Sequence, residues 1–218
     1  ITTLLSTLPA IIAGPLVRHL DAHHVTLWCV TSLPYQITVS LFDHKQAPIF
    51  HQQLSEKQHT QVQIGGRAFV QLLSIELEHP LAADTLVYYD MTLSHQQTTH
   101  KLTELLPDIS YQGEQRPSFK LANNIDSLLH GSCRKPHFGS GDGLVQIDKL
   151  LASEHYTAEK RPALVMMTGD QVYADDVAGP MLVAIHQVIQ LLGLYPENWQ
   201  GAKVNNSDAL FASELCYY

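Results

Sequence analysis

Between Ile11 and about Leu93 apolar residues recur at every second position, and this alternation limits the possible folds more than any other feature of the chain. Ile37, Val39 and Leu41 alternate with Gln36, Thr38 and Ser40. Phe69, Leu73, Ile75 and Leu77 share one parity, while Ser74, Glu76 and Glu78 take the other. Val25, Leu27 and Cys29 line up in the same way, and Val62 and Ile64 make a shorter run. Successive side chains of a strand point to opposite faces, so period two means strands with one buried face. Leu33-Pro34, Asp43-His44-Lys45, Gly65-Gly66 and His79-Pro80 punctuate the runs as turns. About seven short strands without a long helix predict an antiparallel sandwich over residues 1–95.

The strand count fits a sandwich of the immunoglobulin or fibronectin type, but Cys29 has no cysteine in the later strands to form an immunoglobulin disulfide. Residues 96–119 are polar and mixed, with Pro107, Gly113 and Pro117, and read as a linker with one helical turn near Leu102 to Leu106. From residue 120 to 218 the period changes. Leu144, Ile147 and Leu151 recur at helical spacing behind Asp142, a good N-cap residue. Met181, Ile185, Ile189 and Leu192 form a second stripe, opened by Pro180 and closed by Gly193 and Pro196. With apolar runs at Leu128-Leu129 and Ala163 to Met167, the order is strand, helix, strand, helix. That is a βαβ unit, and it implies a parallel pair.

Hydrophobic residues make up 45% and charged residues 16%, a balance that supports a packed core. The formal net charge of −8 argues against nonspecific binding to nucleic acid or anionic lipid, although a bound cation can reverse the local sign. No apolar run reaches the length of a membrane span. The first residues lack the zones of a signal peptide, but the chain starts at Ile1, so localisation stays open. Cys29, Cys133 and Cys216 show no repeated spacing, hence neither a disulfide framework nor a zinc pattern. Cys29 reads as a small buried hydrophobe. His44, His51, His59 and His95 read as solvated surface, and His186 as structural.

The chemistry concentrates at two predicted strand ends. Leu128-Leu129-His130-Gly131-Ser132-Cys133-Arg134 closes one strand, and Gly169-Asp170-Gln171-Val172-Tyr173-Ala174-Asp175-Asp176 follows the other. Ligands and catalytic groups of open α/β sheets collect at that rim. Singly, each residue has a plain explanation. Cys133 could be a core thiol, Asp170 a turn cap, Tyr173 a surface aromatic, and Asp175 with Asp176 the acidic first turn of a helix. Jointly they place a thiol, a carboxylate and a phenol at neighbouring strand tips, a donor set for a hard, highly charged cation. The glycines before them permit close backbone approach or an unusual φ.

Gly169-Asp170-Gln171-Val172-Tyr173 resembles the Gly-Asp-x-x-Tyr element of calcineurin-like metallophosphoesterases that use tyrosine, such as the purple acid phosphatases. Combined with Gly131-Ser132-Cys133-Arg134-Lys135-Pro136, it is similar to the alkaline phosphatase D (PhoD-like) family. Members of that family also carry a small β-sandwich, opening with a segment like Ala13-Gly14-Pro15-Leu16-Val17. The resemblance implies a calcineurin-like α/β domain after the sandwich, and a metal-dependent phosphomonoesterase or phosphodiesterase. It implies Fe(3+) on Cys133 and Tyr173, with Asp170 joining the iron to Ca(2+). Arg134 is then a candidate to meet a phosphate oxygen, a part that Lys135 or neither residue could play. Asp175 and Asp176 are candidates for an outer or calcium position. The family's later ligands, in Gly-Asn-His or Gly-His-x-His-like segments, have no counterpart after Tyr173, and Asn205-Asn206 lacks the neighbouring glycine and histidine. The α/β domain is therefore expected to be truncated and the chain inactive alone. Two other functions compete with this one: a noncatalytic sandwich binding module, and a calcium-binding structural protein using Asp170, Asp175 and Asp176.

Overall fold

The computed structural model describes residues 8–135, 138–139, 141–153, 157–173 and 176–213. Seven strands lie between Ile11 and His95: β1 (Ile11–Leu20), β2 (His24–Thr31), β3 (Gln36–Phe42), β4 (Pro48–Gln53), β5 (His59–Gly65), β6 (Ala68–Glu76) and β7 (Leu86–His95). One sheet has the order β1-β2-β6-β5. A second is built on β4-β3-β7, and all pairings in both are antiparallel. The alternation read from the sequence decides which face is inside. Val25, Leu27 and Cys29 of one sheet and Ile37, Val39 and Leu41 of the other are all 0% exposed and belong to one core. Full burial of such a side chain is worth about 1.5–3 kcal/mol, so these strands supply most of the driving force.

Three details depart from the simple alternation. Gln71 lies on the buried parity of β6, and is satisfied there: its amide donates to Thr31 Oγ1 (2.8 Å) and Gln61 Oε1 (3.1 Å). Its oxygen accepts from His59 Nε2 at 2.6 Å, so His59 is half-buried and bonded to the core rather than simply solvated. Val62 and Ile64 do form a strand, but on edge strand β5 they are 52% and 39% exposed. Gly14 sits at φ +82° in an irregular stretch of β1, where an added Cβ would fall 2.8 Å from the Trp28 carbonyl oxygen. Only glycine fits that backbone and that gap.

The segment 96–119, read as a linker, contributes two short strands to the second sheet. β8 (Thr98–Lys101) pairs with β7 through a hairpin, and β9 (Ser118–Lys120) pairs with the start of β7. Its sequence, Thr98-Thr99-His100-Lys101, carries no apolar residue because an edge strand needs little burial. The expected helical turn is present as α1 (Leu102–Leu105), whose Leu102 is fully buried in the sandwich core.

The rest of the chain contains β10 (Leu128–Gly131), α2 (Gly143–Ala152), β11 (Leu164–Met167), α3 (Gly179–Leu192) and α4 (Ser207–Phe211). β10 and β11 are parallel, with Leu128 opposite Leu164 and Gly131 opposite Met167, so both C-terminal ends reach the same rim. Asp142 caps α2 by accepting the Leu144 N–H. Pro180 lies in the first turn of α3, and Gly193 ends it in the left-handed conformation. The end of α3 docks on the β5–β6 turn: Gly66 and Arg67 donate N–H bonds to the Gly193 and Leu192 carbonyls (2.8 and 2.9 Å). Leu192 is buried there beside Val30 and Ala68. The helical stripes form as expected, but most of their apolar residues remain exposed. Met181 is 55% exposed and Ile185 40%, while Leu128 and Val165 of the parallel pair are 48% and 46%. No helix among the described residues is long and apolar enough to cross a membrane.

Candidate metal centre at the strand tips

Two short apolar strands in parallel register bring the two sequence motifs side by side. The ladder continues past the strand ends: Thr168 N–H donates to the Gly131 carbonyl (3.0 Å), and Arg134 N–H to the Asp170 carbonyl (2.7 Å). His130 Nε2 and Thr168 Oγ1, 2.7 Å apart, tie the last residues of the pair together. Gly169 lets the tips approach this closely. A Cβ at that position would lie 1.9 Å from Ser132 Oγ, 3.0 Å from the Cys133 amide nitrogen and 3.1 Å from its sulfur. Cys133 itself has φ +54°, a left-handed conformation uncommon for a side-chain-bearing residue.

Cys133 is exposed, so it is not the core thiol that its type alone would have implied. Its thiol is held below the ordinary cysteine value, first by a hydrogen bond with the Ser132 hydroxyl (3.3 Å) and next by one with the Tyr173 hydroxyl. The Asp170 carboxylate works in the opposite direction by charge repulsion. Cys133 and Tyr173 line the same cleft at the rim, and the Arg134 N–H bond to the Asp170 carbonyl holds Asp170 beside the Cys133 turn. A thiol, a phenol and a carboxylate are anionic donors once ionised, and such a set matches ferric iron. The chemistry of the donors fits the cation implied by the resemblance, but the set is partial. Among the described residues no three His, Cys, Asp or Glu side chains are gathered to hold a metal; here there are two, with the phenol of Tyr173 beside them.

The tips open on a cleft of about 640 Å³, whose lining includes Cys133, Arg134, Phe138, Asp142, Met167 and Tyr173. Arg134 faces Asp142. Its Nε and Nη2 donate to the two carboxylate oxygens at 3.1 and 2.6 Å, a bidentate pair. The same carboxylate accepts the Leu144 N–H, so one residue clamps the Cys133 loop onto the start of α2. The pair holds the Asp142 carboxyl below the usual range, chiefly through the Arg134 hydrogen bonds. The Lys135 ammonium lies 4.7 Å from the centre of the Tyr173 ring and pairs with the Asp176 carboxylate. Pro136, Asp175 and Cys216 lie outside the described residues.

Sequence reasoning identified Cys133, Asp170 and Tyr173 and assigned Asp142 only to helix capping. The part that Asp142 plays against Arg134 had no local signal, because the two lie eight positions apart in the sequence. Ser132 and His130 were passed over as motif filler; their bonds depend on register across the strands. Asn206, which drew attention as a polar residue near the end, caps α4 by accepting the Ala209 N–H at 2.7 Å. Neither a family model nor a curated protein matches this sequence.

Proposed function

We propose that the rim formed by β10 and β11 is part of the metal centre of a metal-dependent phosphoric ester hydrolase of the PhoD-like, calcineurin-like kind. The observation that carries this reading is that Cys133 and Tyr173 line one cleft at the tips of adjacent parallel strands, with Asp170 tied to the same rim by the Arg134 N–H bond to its carbonyl. When bound, a ferric ion with a divalent calcium neighbour would polarise a phosphate ester and acidify water. In this reading Cys133 and Tyr173 would hold the iron, and Asp170 would serve as the carboxylate ligand that joins it to the divalent ion. Arg134, with its Nε and Nη2 committed to Asp142, orients the Cys133 loop. The Lys135 ammonium lies over the Tyr173 ring at 4.7 Å from its centre and helps to fix the ring at the cleft. A noncatalytic binding role for the sandwich is the second reading.

The test is spectroscopic first and kinetic second. Addition of Fe(3+) to the 218-residue chain is expected to give a visible phenolate-to-iron charge-transfer band that Tyr173→Phe abolishes and Cys133→Ala weakens. Hydrolysis of p-nitrophenyl phosphate or bis(p-nitrophenyl) phosphate is expected to stay near background, because the ligand set is partial. A colourless protein after iron loading, or a band unchanged in Tyr173→Phe, would refute the metal centre. Robust metal-dependent turnover by this chain would instead refute the incomplete ligand set.

A further inference from the structure

The β1–β2 hairpin carries a second group of metal-ligating side chains, remote in sequence from the strand-tip rim. His19 is next to last in β1, His24 opens β2, and Asp21 lies in the turn between the strands. His19 Nε2 is 3.0 Å from Asp21 Oδ2, and His24 Nδ1 is 3.0 and 3.1 Å from Oδ1 and Oδ2. The carboxylate therefore collects one nitrogen from each ring. Its position is set by the backbone, since Oδ1 also accepts the His23 and His24 N–H groups at 2.8 Å each. His23, the third histidine of the turn, is occupied elsewhere: its Nδ1–H donates to the Leu77 carbonyl at 3.1 Å. We propose that His19, Asp21 and His24 form a binding site for a divalent transition-metal ion of the zinc type.

The argument is geometric. Zinc binds imidazole nitrogen and carboxylate oxygen at roughly 2.0–2.1 Å in a tetrahedron, whose ligand-to-ligand edges are then about 3.3 Å. The observed N···O separations of 3.0 and 3.1 Å are already close to two such edges. In a hydrogen bond each ring nitrogen points along the edge, whereas coordination needs it to point at the centre of the tetrahedron, a turn of about 35°. The side chains are free to make it, because His19 is 62% and His24 53% exposed. Among the described residues no three His, Cys, Asp or Glu side chains, this trio included, are already placed to hold a metal, so the site forms only as the rings turn and the ion replaces the ring-to-carboxylate hydrogen bonds. A carboxylate can only accept, so the facing nitrogens carry protons in the metal-free state. Each neutral ring frees its lone pair for the metal by moving that proton to its other nitrogen. Two imidazoles with one carboxylate suit zinc, nickel or copper rather than calcium or magnesium, and leave one position open.

The experiment uses the 218-residue chain with Cys133→Ser, which removes the thiol at the rim as a competing ligand. Zinc chloride is titrated at neutral pH, with calorimetry for affinity and side-chain nitrogen NMR for position. The expected result is one zinc per chain at the hairpin, shifts at His19 Nε2 and His24 Nδ1, and a loss of about tenfold or more in affinity for His19→Gln or His24→Gln. His51→Gln, an exposed histidine on β4, is the control and should leave the affinity unchanged. All three changes are on the surface, and an unchanged circular dichroism spectrum shows that the variants are folded. Zinc that leaves the His19 and His24 resonances in place, or binds equally to both variants, overturns the site.

Discussion

Cys29 and Cys133 are both free thiols in opposite surroundings. Cys29 is 0% exposed in β2, and burial pushes its thiol up to about 12. Cys133 is exposed at a strand tip, and the Ser132 and Tyr173 hydroxyls hold it below the ordinary value. The thiolate is the reactive form. Iodoacetamide should therefore label Cys133 in the folded protein, at a rate that rises with pH through a midpoint below that of a free cysteine. Cys29 should stay unlabelled across that range and react only after unfolding, as peptide mass mapping would reveal. Comparable labelling of both thiols in the native state would contradict the burial pattern. Gly169 offers a second check at the same scale. In Gly169→Ala the new methyl presses on the Cys133 amide and sulfur, and the Ser132 side chain alone cannot relieve this by turning away. Iron binding at the rim is expected to fall at least as far as in Cys133→Ala, while the unfolding midpoint of the sandwich stays the same.

Among the elements, β3 and β11 form a useful contrast, since both are short strands that carry large apolar residues. Leu41 of β3 is 0% exposed between the sheets, and Val165 of β11 is 46% exposed. Leu41→Ala is expected to destabilise the protein by about 2–5 kcal/mol, as lost burial and a residual cavity add. Val165→Ala should stay within about 0.5 kcal/mol, the ordinary range for surface positions. Urea unfolding followed by tryptophan fluorescence measures both. A larger effect at Val165 would mean that the parallel pair is packed more tightly than its exposure indicates. The element scale is also where pattern reading was most and least successful. Val25, Leu27, Cys29, Ile37, Val39, Leu41, Leu73 and Ile75 were all legible, because alternation maps directly onto the two faces of a strand. Thr98–Lys101 was missed, since an edge strand gains its order from ladder hydrogen bonds that leave no hydrophobic trace.

For the molecule as a whole, order is expected to follow burial. The core joins the two antiparallel sheets and takes in Leu102 and Phe119, while the helices α2 and α3 and the pair β10–β11 keep large apolar side chains in contact with water. Backbone amides that open with little loss of buried surface exchange early. Hydrogen exchange read by mass spectrometry should therefore show slow exchange in β2, β3, β6 and β7, and exchange at least tenfold faster in β10 and β11. Uniform protection across both regions would indicate that the apolar surfaces of the parallel pair are covered in solution.

By itself the sequence determined the antiparallel strands of the sandwich, the helices behind Asp142 and Pro180, and the candidate residues Cys133, Asp170 and Tyr173. Each of these rests on short-range causes: side-chain parity, a capping residue, a helix-breaking glycine or a polar residue after an apolar run. Other features were decided only by the tertiary structure. Parallel register brought the Cys133 thiol to the Tyr173 phenol, and a loop closure turned Arg134 onto Asp142. The hairpin turn gathered His19 and His24 on one carboxylate, and Gln71 found its partners across three strands. Those contacts depend on which strand ends meet and at what offset, and the periodicity of a single strand carries no information about its neighbour's register.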